Sequence, residues 1–413
     1  MAKQIETIHA TYEIVTPLFC GGASADAAEL RLPSFKGVLR WYWRAVVWQQ
    51  LGGDLEKIQQ EEAAMFGSPG GGQGKVCMRQ IGGMAPGVTV AKDTVLKDAR
   101  GQTVGPGARY LGYGVMAAFR SRDKGTEDGQ LTRGCLVPPL ALAIELRCRS
   151  LTDEERARLQ LALRAVGLLG AMGSKSRKGY GSLVLRELTA PGSEPWQVPR
   201  TIEELHARIA DLRRGCAGSG PRAKAEAPYT ALTPQSRHIL ITARSPVDAI
   251  TLLDLIGREL VRYRSWGKNG KVLGNEHHEA RFRDDHDMQK RAAERLPING
   301  HPRRVAFGLP HNYGKGSRNT VTPDGLDRRG SPLLIHIHLC GSTPVAVLSF
   351  LPASFLPGRT RIIAFGTLVP VAAPPALWAP IEALLDRFLG ITTSASSAGQ
   401  RREPFGKAME VRP

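Results

Sequence analysis

The chain has 413 residues, 42% of them hydrophobic, enough for the cores of two or three domains and too many for a disordered chain. Its 56 Lys and Arg outnumber 38 Asp and Glu, and the net charge of +18 points to a polyanionic partner, either nucleic acid or an acidic membrane surface. The most apolar stretch, Thr367 to Ile381, holds four prolines and cannot span a membrane, and six scattered cysteines without a Cys-x-x-Cys pair exclude the usual zinc and disulfide frameworks.

In chain order, Ile8, Ala10, Tyr12 and Ile14 alternate as on a half-buried strand. A helix is expected from Ser34, as N-cap after Pro33, to about Gln50, where Gly52 and Gly53 stop it. Residues 66–74 are loop, and strands are predicted at 76–81 and 109–119 around a turn-rich insertion. Leu140, Leu142, Ile144, Leu146 and Cys148 alternate on a strand, Thr152 and Glu155 form a capping box, and Leu159, Ala162, Leu163, Val166 and Leu169 make a helical stripe. A glycine-rich loop from Gly170 to Gly181 leads into a strand at 180–188. Strand, helix, two strands, helix, strand is the ferredoxin-like order, expected for residues 1–190.

Residues 191–236, rich in Pro and Gly, are expected to be a linker with one short helix capped at Thr201. The pattern then restarts over 237–392. It has a strand through Ile239 and Ile241, a helix from about Val247 to Tyr263 and a polar insertion over about 265–330. Strands follow at 333–339, 345–350 and 361–368, with a last helix over 376–389. Residues 393–413 are expected to be a mobile tail. The predicted class is α+β, with two ferredoxin-like domains in tandem. The N-terminus carries no apolar signal core, so a cytoplasmic location is expected.

Two segments carry the charge in a usable form. At helical spacing Lys36, Arg40 and Arg44 share one face, with four cations and no carboxylate between Arg31 and Arg44. Trp43 beside them offers a plane for a base. The loop from Gly173 to Ser182 sets Lys175, Ser176, Arg177 and Lys178 among Gly173, Gly179 and Gly181, so that a phosphate backbone can approach the main chain, with Tyr180 as a second stacking plane. It is not a P-loop, because Ser174 separates Gly173 from Lys175 and the loop runs from helix to strand. Between Arg262 and Gly330 there are fifteen Lys and Arg against eight Asp and Glu, and Lys315, Arg318, Arg328 and Arg329 are the cations there expected to reach RNA.

At this point the residues resemble a family. The opening strand with Thr16-Pro17-Leu18-Phe19-Cys20-Gly21-Gly22, the block from Leu30 to Arg44, Phe66-Gly67-Ser68, the loop at Gly173 to Gly181, Phe307-Gly308-Leu309-Pro310 and Arg328-Arg329-Gly330-Ser331-Pro332 are similar, in this order, to RAMP proteins of CRISPR systems. Among these they resemble the first subunits of Cmr (type III-B) effector complexes. The resemblance implies two ferredoxin-like domains, binding at the 3′ end of the guide RNA and to target RNA, and a neighbouring RAMP subunit. It implies no catalytic residue in this chain. No metal or cofactor is expected, and Gly21 and Gly22 are further expected points of close backbone approach.

Two other chemistries fit the sequence less well. The cluster His277, His278, Asp284, Asp285, His286 and Asp287 suggests a metal phosphohydrolase, but its spacing fits no metal signature, and His336 with His338 lacks a third ligand. A RAMP-type endoribonuclease would need a histidine near the first helix or the glycine-rich loop, and neither contains one. An adaptor meeting acidic protein subunits is the third reading.

Overall fold

The computed structural model describes residues 5–24, 26–81, 88–123, 125–218, 223, 226–267, 269–314, 316–356, 358, 361–391 and 403–412. Strand β1 (Ile5–Ile14) keeps the predicted alternation, with Ile8, Ala10, Tyr12 and Ile14 buried. Helices α1 (Leu32–Gln50) and α2 (Leu55–Phe66) and strand β2 (Val76–Gln80) follow. An insertion with β3 (Val88–Val90), α3 (Pro106–Leu111) and β4 (Cys135–Val137) precedes β5 (Leu140–Arg149), α4 (Asp153–Leu169) and β6 (Leu183–Thr189). The long strands form an antiparallel sheet ordered β2-β5-β1-β6, in which the first strand lies between the third and the fourth as in a ferredoxin-like fold. Helices α1 and α4 cover one face. Tyr12 and Tyr42 bury their rings there and donate their hydroxyls to Leu163 O (2.9 Å) and Leu169 O (2.8 Å).

Helix α5 (Ile202–Ala217) is sixteen residues long and buries Leu205, Ile209 and Leu212 in this first core, so the expected linker contains a packed element. Its N-cap is Thr201, as predicted, with the hydroxyl accepting from Glu204 N. The second half begins with β7 (Arg237–Ala243) and α6 (Ala249–Arg264), capped by Asp248. The polar insertion holds β8 (Lys271–Val272), β9 (Glu276–His277), α7 (Arg283–Ala293), β10 (His311–Asn312) and β11 (Thr320–Pro323). Then come β12 (Leu333–Cys340), β13 (Thr343–Phe350), β14 (Arg361–Ala364), β15 (Thr367–Pro370), α8 (Ala379–Leu389) and β16 (Phe405–Val411). Strands β12, β13, β7 and β16 repeat the ferredoxin-like order, while β10, β11, β14 and β15 make a separate small sheet.

Three expectations are corrected. Residues 109–119 are not a strand: Pro106 opens α3, and Asp254 of α6 accepts Gly107 N (2.7 Å) and Ala108 N (3.0 Å) at its first turn. Helix α1 starts two residues before Ser34, at Leu32, with Arg31 as an N-cap that makes no side-chain capping bond. The end of the chain is not a loose tail, because β16 supplies the fourth strand of the second sheet against β7; residues 392–402 lie outside the described residues. Among the described residues no helix is long and apolar enough to cross a membrane.

The halves meet along β12, buried on both faces. Ile335 N donates to Arg177 O (3.1 Å), Ile337 N to Ser182 Oγ (3.0 Å) and His336 Nδ1 to Gly170 O (2.8 Å). His336 and His238 are fully buried, and burial pushes both down to about 3, while His338 is also held well below its ordinary value by burial and by His336. All three are neutral at pH 7, whereas the unfolded chain protonates them near pH 6.5. Stability is therefore complete above that pH and falls as the pH drops below it, by up to about 1.4 kcal/mol per pH unit for each histidine. Urea midpoints measured from about pH 7 down to 5 should decline steeply, and replacing His338 by a neutral residue such as Asn should flatten the decline.

Candidate nucleic-acid interface

The glycine-rich loop after α4 turns back through residues in the left-handed region, Gly173 at φ 82°, Lys175 at 65°, Gly179 at 86° and Gly181 at 66°. Its glycines serve the protein's own packing. A Cβ at Gly173 would lie 2.6 Å from Phe19 O, one at Gly179 2.6 Å from a Leu253 methyl and one at Gly181 2.2 Å from Met172 O. They were expected to admit an RNA backbone and instead admit strand β12 and the chain after β1. Gly22 is no phosphate seat either, since the Glu29 carboxylate stands over it, and Gly21 faces Ala27 O.

The two expected stacking planes are also inside the fold. Trp43 packs edge-on to Phe66 in the first core, 1% exposed. Tyr180 is fully buried and donates its hydroxyl to Ala108 O (2.7 Å). Both follow from the chain's period: Trp43 sits on the α1 face that must cover the sheet, and Tyr180 enters β6 pointing into the second core. The half-exposed aromatic of α1 is Trp41, with the Arg177 guanidinium 5.6 Å from its ring centroid.

The basic face of α1 is partly neutralised from α2. Glu62 accepts Arg40 Nε (2.7 Å) and Arg44 Nη1 (2.6 Å), so one buried carboxylate holds two of the three predicted cations. Lys36 makes no ion pair among the described residues; with Arg40 it lines a cavity of about 610 Å³ between α1 and the loop after α2. Removing the carboxylate should release both guanidiniums. A Glu62→Gln variant is expected to bind single-stranded RNA a few-fold more tightly at low salt and to steepen the salt dependence by about 0.7 per guanidinium freed, measurable by fluorescence anisotropy.

The cations of the loop differ. Lys175 is half-buried, and burial, then Arg328 and Arg133, push its pKa down. Lys178 is pushed down to about 7 by burial and then by Arg264, Arg177 and Lys175. None of Lys175, Lys178, Arg133, Arg264 and Arg328 has a carboxylate partner among the described residues, and the buried Nε atoms of Arg133 and Arg264 have no hydrogen-bond partner there. Five uncompensated cations around one loop are costly for a protein alone and suited to an anion with several charges.

Other predicted residues have structural duties. Arg177 donates to Ser331 O (2.7 Å), and Arg329 donates to Phe355 O (2.7 Å) while packing on Phe355 and Trp378. Arg318 is exposed on the turn Ser317–Asn319, and Lys315 lies outside the described residues. Arg133 and Arg264 carry no local signal in the sequence, because the first comes from the insertion before β4 and the second from the end of α6, and only the tertiary fold unites them. His311 was missed for the same reason. It stands near Lys178, Arg264 and Arg304 and is held well below its ordinary value by burial and by these cations. The suspected metal cluster is organised otherwise: Asp285 accepts Arg303 N (2.7 Å), Arg304 N (3.1 Å) and Tyr313 Oη (3.1 Å), and His286 stacks on Trp266.

Residues 11–85 match the family model described as the RAMP superfamily. The chain is 30% identical over 184 residues to the CRISPR system Cmr subunit Cmr1-2 of Pyrococcus furiosus, over 43% of this chain and 95% of that protein. It is 27% identical over 187 residues to Cmr1-1 of the same organism, over 44% of this chain and 46% of that protein. The fold is similar to that of Cmr1 from Pyrococcus furiosus in its apo form (TM-score 0.54, 15% identity, 98% of both chains). It is also similar to a chain of a type III-B Cmr-beta complex bound to cognate target RNA and AMPPnP in the presence of ssDNA (TM-score 0.51, 11% identity, 93% of this chain and 100% of that one). By its sequence similarity along nearly the whole of a Cmr1 protein, this chain belongs to the Cmr1 family of the RAMP superfamily.

Proposed function

We propose that this chain is a non-catalytic RNA-binding subunit of a type III-B CRISPR effector complex, holding the 3′ end of the guide RNA and the target RNA paired with it, beside another RAMP subunit. The observation that carries the reading is the uncompensated group Lys175, Lys178, Arg133, Arg264 and Arg328 around the glycine-rich loop, with Lys36 on the neighbouring helix. Phosphates satisfy such a group without sequence readout, as expected for a subunit that holds RNAs of any sequence. Family membership supports the assembly and the antiviral setting.

The endoribonuclease alternative has one foothold, the neutral His311 beside Lys178. Labelled single-stranded RNA incubated with the purified chain, with and without divalent metal, separates the two on paired native and denaturing gels. The binding reading predicts a shifted, intact RNA. Cleavage that co-purifies with the chain and vanishes in a His311→Ala variant would replace it.

A further inference from the structure

Between α1 and the glycine-rich loop lies a cavity of about 290 Å³ that the reading above does not use. Trp41, Ser34 and Ser176 line it. Among the described residues no carboxylate lines it, and Arg177, stacked on Trp41, joins it to the same loop as Lys175 and Lys178.

The second observation is Gly37, in the second turn of α1, which also lines this cavity. Glycine inside a helix lowers stability relative to alanine, so it needs a reason. The loop glycines have theirs in contacts a Cβ would violate. At Gly37 a Cβ would meet nothing within 4 Å, so no part of the described protein requires the glycine. Gly37 is exposed, and a side chain there would enter the open space beside the cavity that it lines.

We propose that this cavity receives one unpaired nucleobase of the bound RNA, laid against Trp41 with Ser34 and Ser176 within reach of its polar edge. The inference rests on the RNA reading above and adds to it the class of group recognised. Single-stranded RNA is commonly held in this way, by phosphates on cations and a base on an aromatic or guanidinium plane. The volume is at the small end of ligand pockets and suits one planar ring system.

The test compares a labelled single-stranded RNA with an abasic ribose-phosphate oligomer of equal length, both bound to the full chain and followed by anisotropy. The wild type should prefer the base-bearing RNA by about tenfold. Gly37→Leu, which crowds the cavity's edge with a good helix former, and Trp41→Leu should each bring that preference near one and leave abasic affinity unchanged. Gly37→Leu should melt no lower than the wild type, so its loss cannot be ascribed to unfolding. A preference that survives in both variants overturns the proposal. So does a wild type that binds both oligomers equally, an outcome that leaves the phosphate reading standing. Failure to bind either oligomer would overturn the RNA reading and this inference together.

Discussion

A Lys175→Gln, Lys178→Gln, Arg328→Gln variant is expected to lose roughly a hundredfold in affinity for single-stranded RNA, while melting at or above the wild-type temperature. Three phosphate pairings at about 1 kcal/mol each give about 3 kcal/mol, or two decades. Stability should not fall, because the cations repel one another in a half-buried setting and glutamine keeps the stems that pack. A purely structural cluster would show the opposite, a lower melting temperature with unchanged binding. The pH dependence is a second signature. Lys178 titrates at about 7 in the free protein instead of its ordinary 10.5. RNA phosphates raise that value, so binding takes up a proton and affinity falls as the pH rises above about 7, by up to tenfold per pH unit. Fold stability moves the other way: between about 7 and 10.5 the unfolded chain binds the extra proton, so stability increases with pH across that window. The triple variant should lose both dependences, as read by anisotropy and urea melts over that range.

The largest stability effect is expected at Arg387, the centre of a network of buried ion pairs. Its Nε donates to Glu259 Oε1 (2.7 Å), and both Nη atoms donate to Glu279 (2.7 Å each). Glu259 is fully buried and also takes Arg262 Nη1 (3.0 Å), which reaches Glu403 just before β16 at 2.5 Å. The network ties α6, α8, the polar insertion and the last strand together. Arg387→Met would leave Glu259 with Arg262 and Glu279 with Arg281, one arginine fewer for each buried carboxylate, and the expected cost is about 3 kcal/mol in equilibrium denaturation. RNA binding by the fraction that remains folded should keep the wild-type salt dependence, because this arginine is buried and its charge is taken up by Glu259 and Glu279. A variant as stable as the wild type would show that the network is water-exposed in solution.

These two cases show what the sequence could and could not convey. Periodicity made β1, α1, β5, α4, β7 and α6 legible, since each must bury one face and its pattern declares which. It hid α3, whose helical state depends on Asp254 of a distant helix, and β16, which lies after a polar stretch that resembles a tail. At the site, Lys175 and Lys178 were legible as cations in a glycine-rich loop. That Glu62 neutralises Arg40 and Arg44, that Arg387 and Arg262 serve a buried network, and that Arg133 and Arg264 join the loop are long-range facts that no local pattern encodes. A net charge of +18 therefore overstates what is available to RNA, and the share that matters is the share without a carboxylate partner.

The most direct measurement of that share is the salt dependence of RNA affinity. With Lys36, Arg133, Lys175, Lys178, Arg264 and Arg328 each meeting one phosphate, log affinity should fall with log salt at a slope of about −4, and of about −2 in the triple glutamine variant. A wild-type slope near zero, or a slope that the three substitutions leave unchanged, would contradict the account.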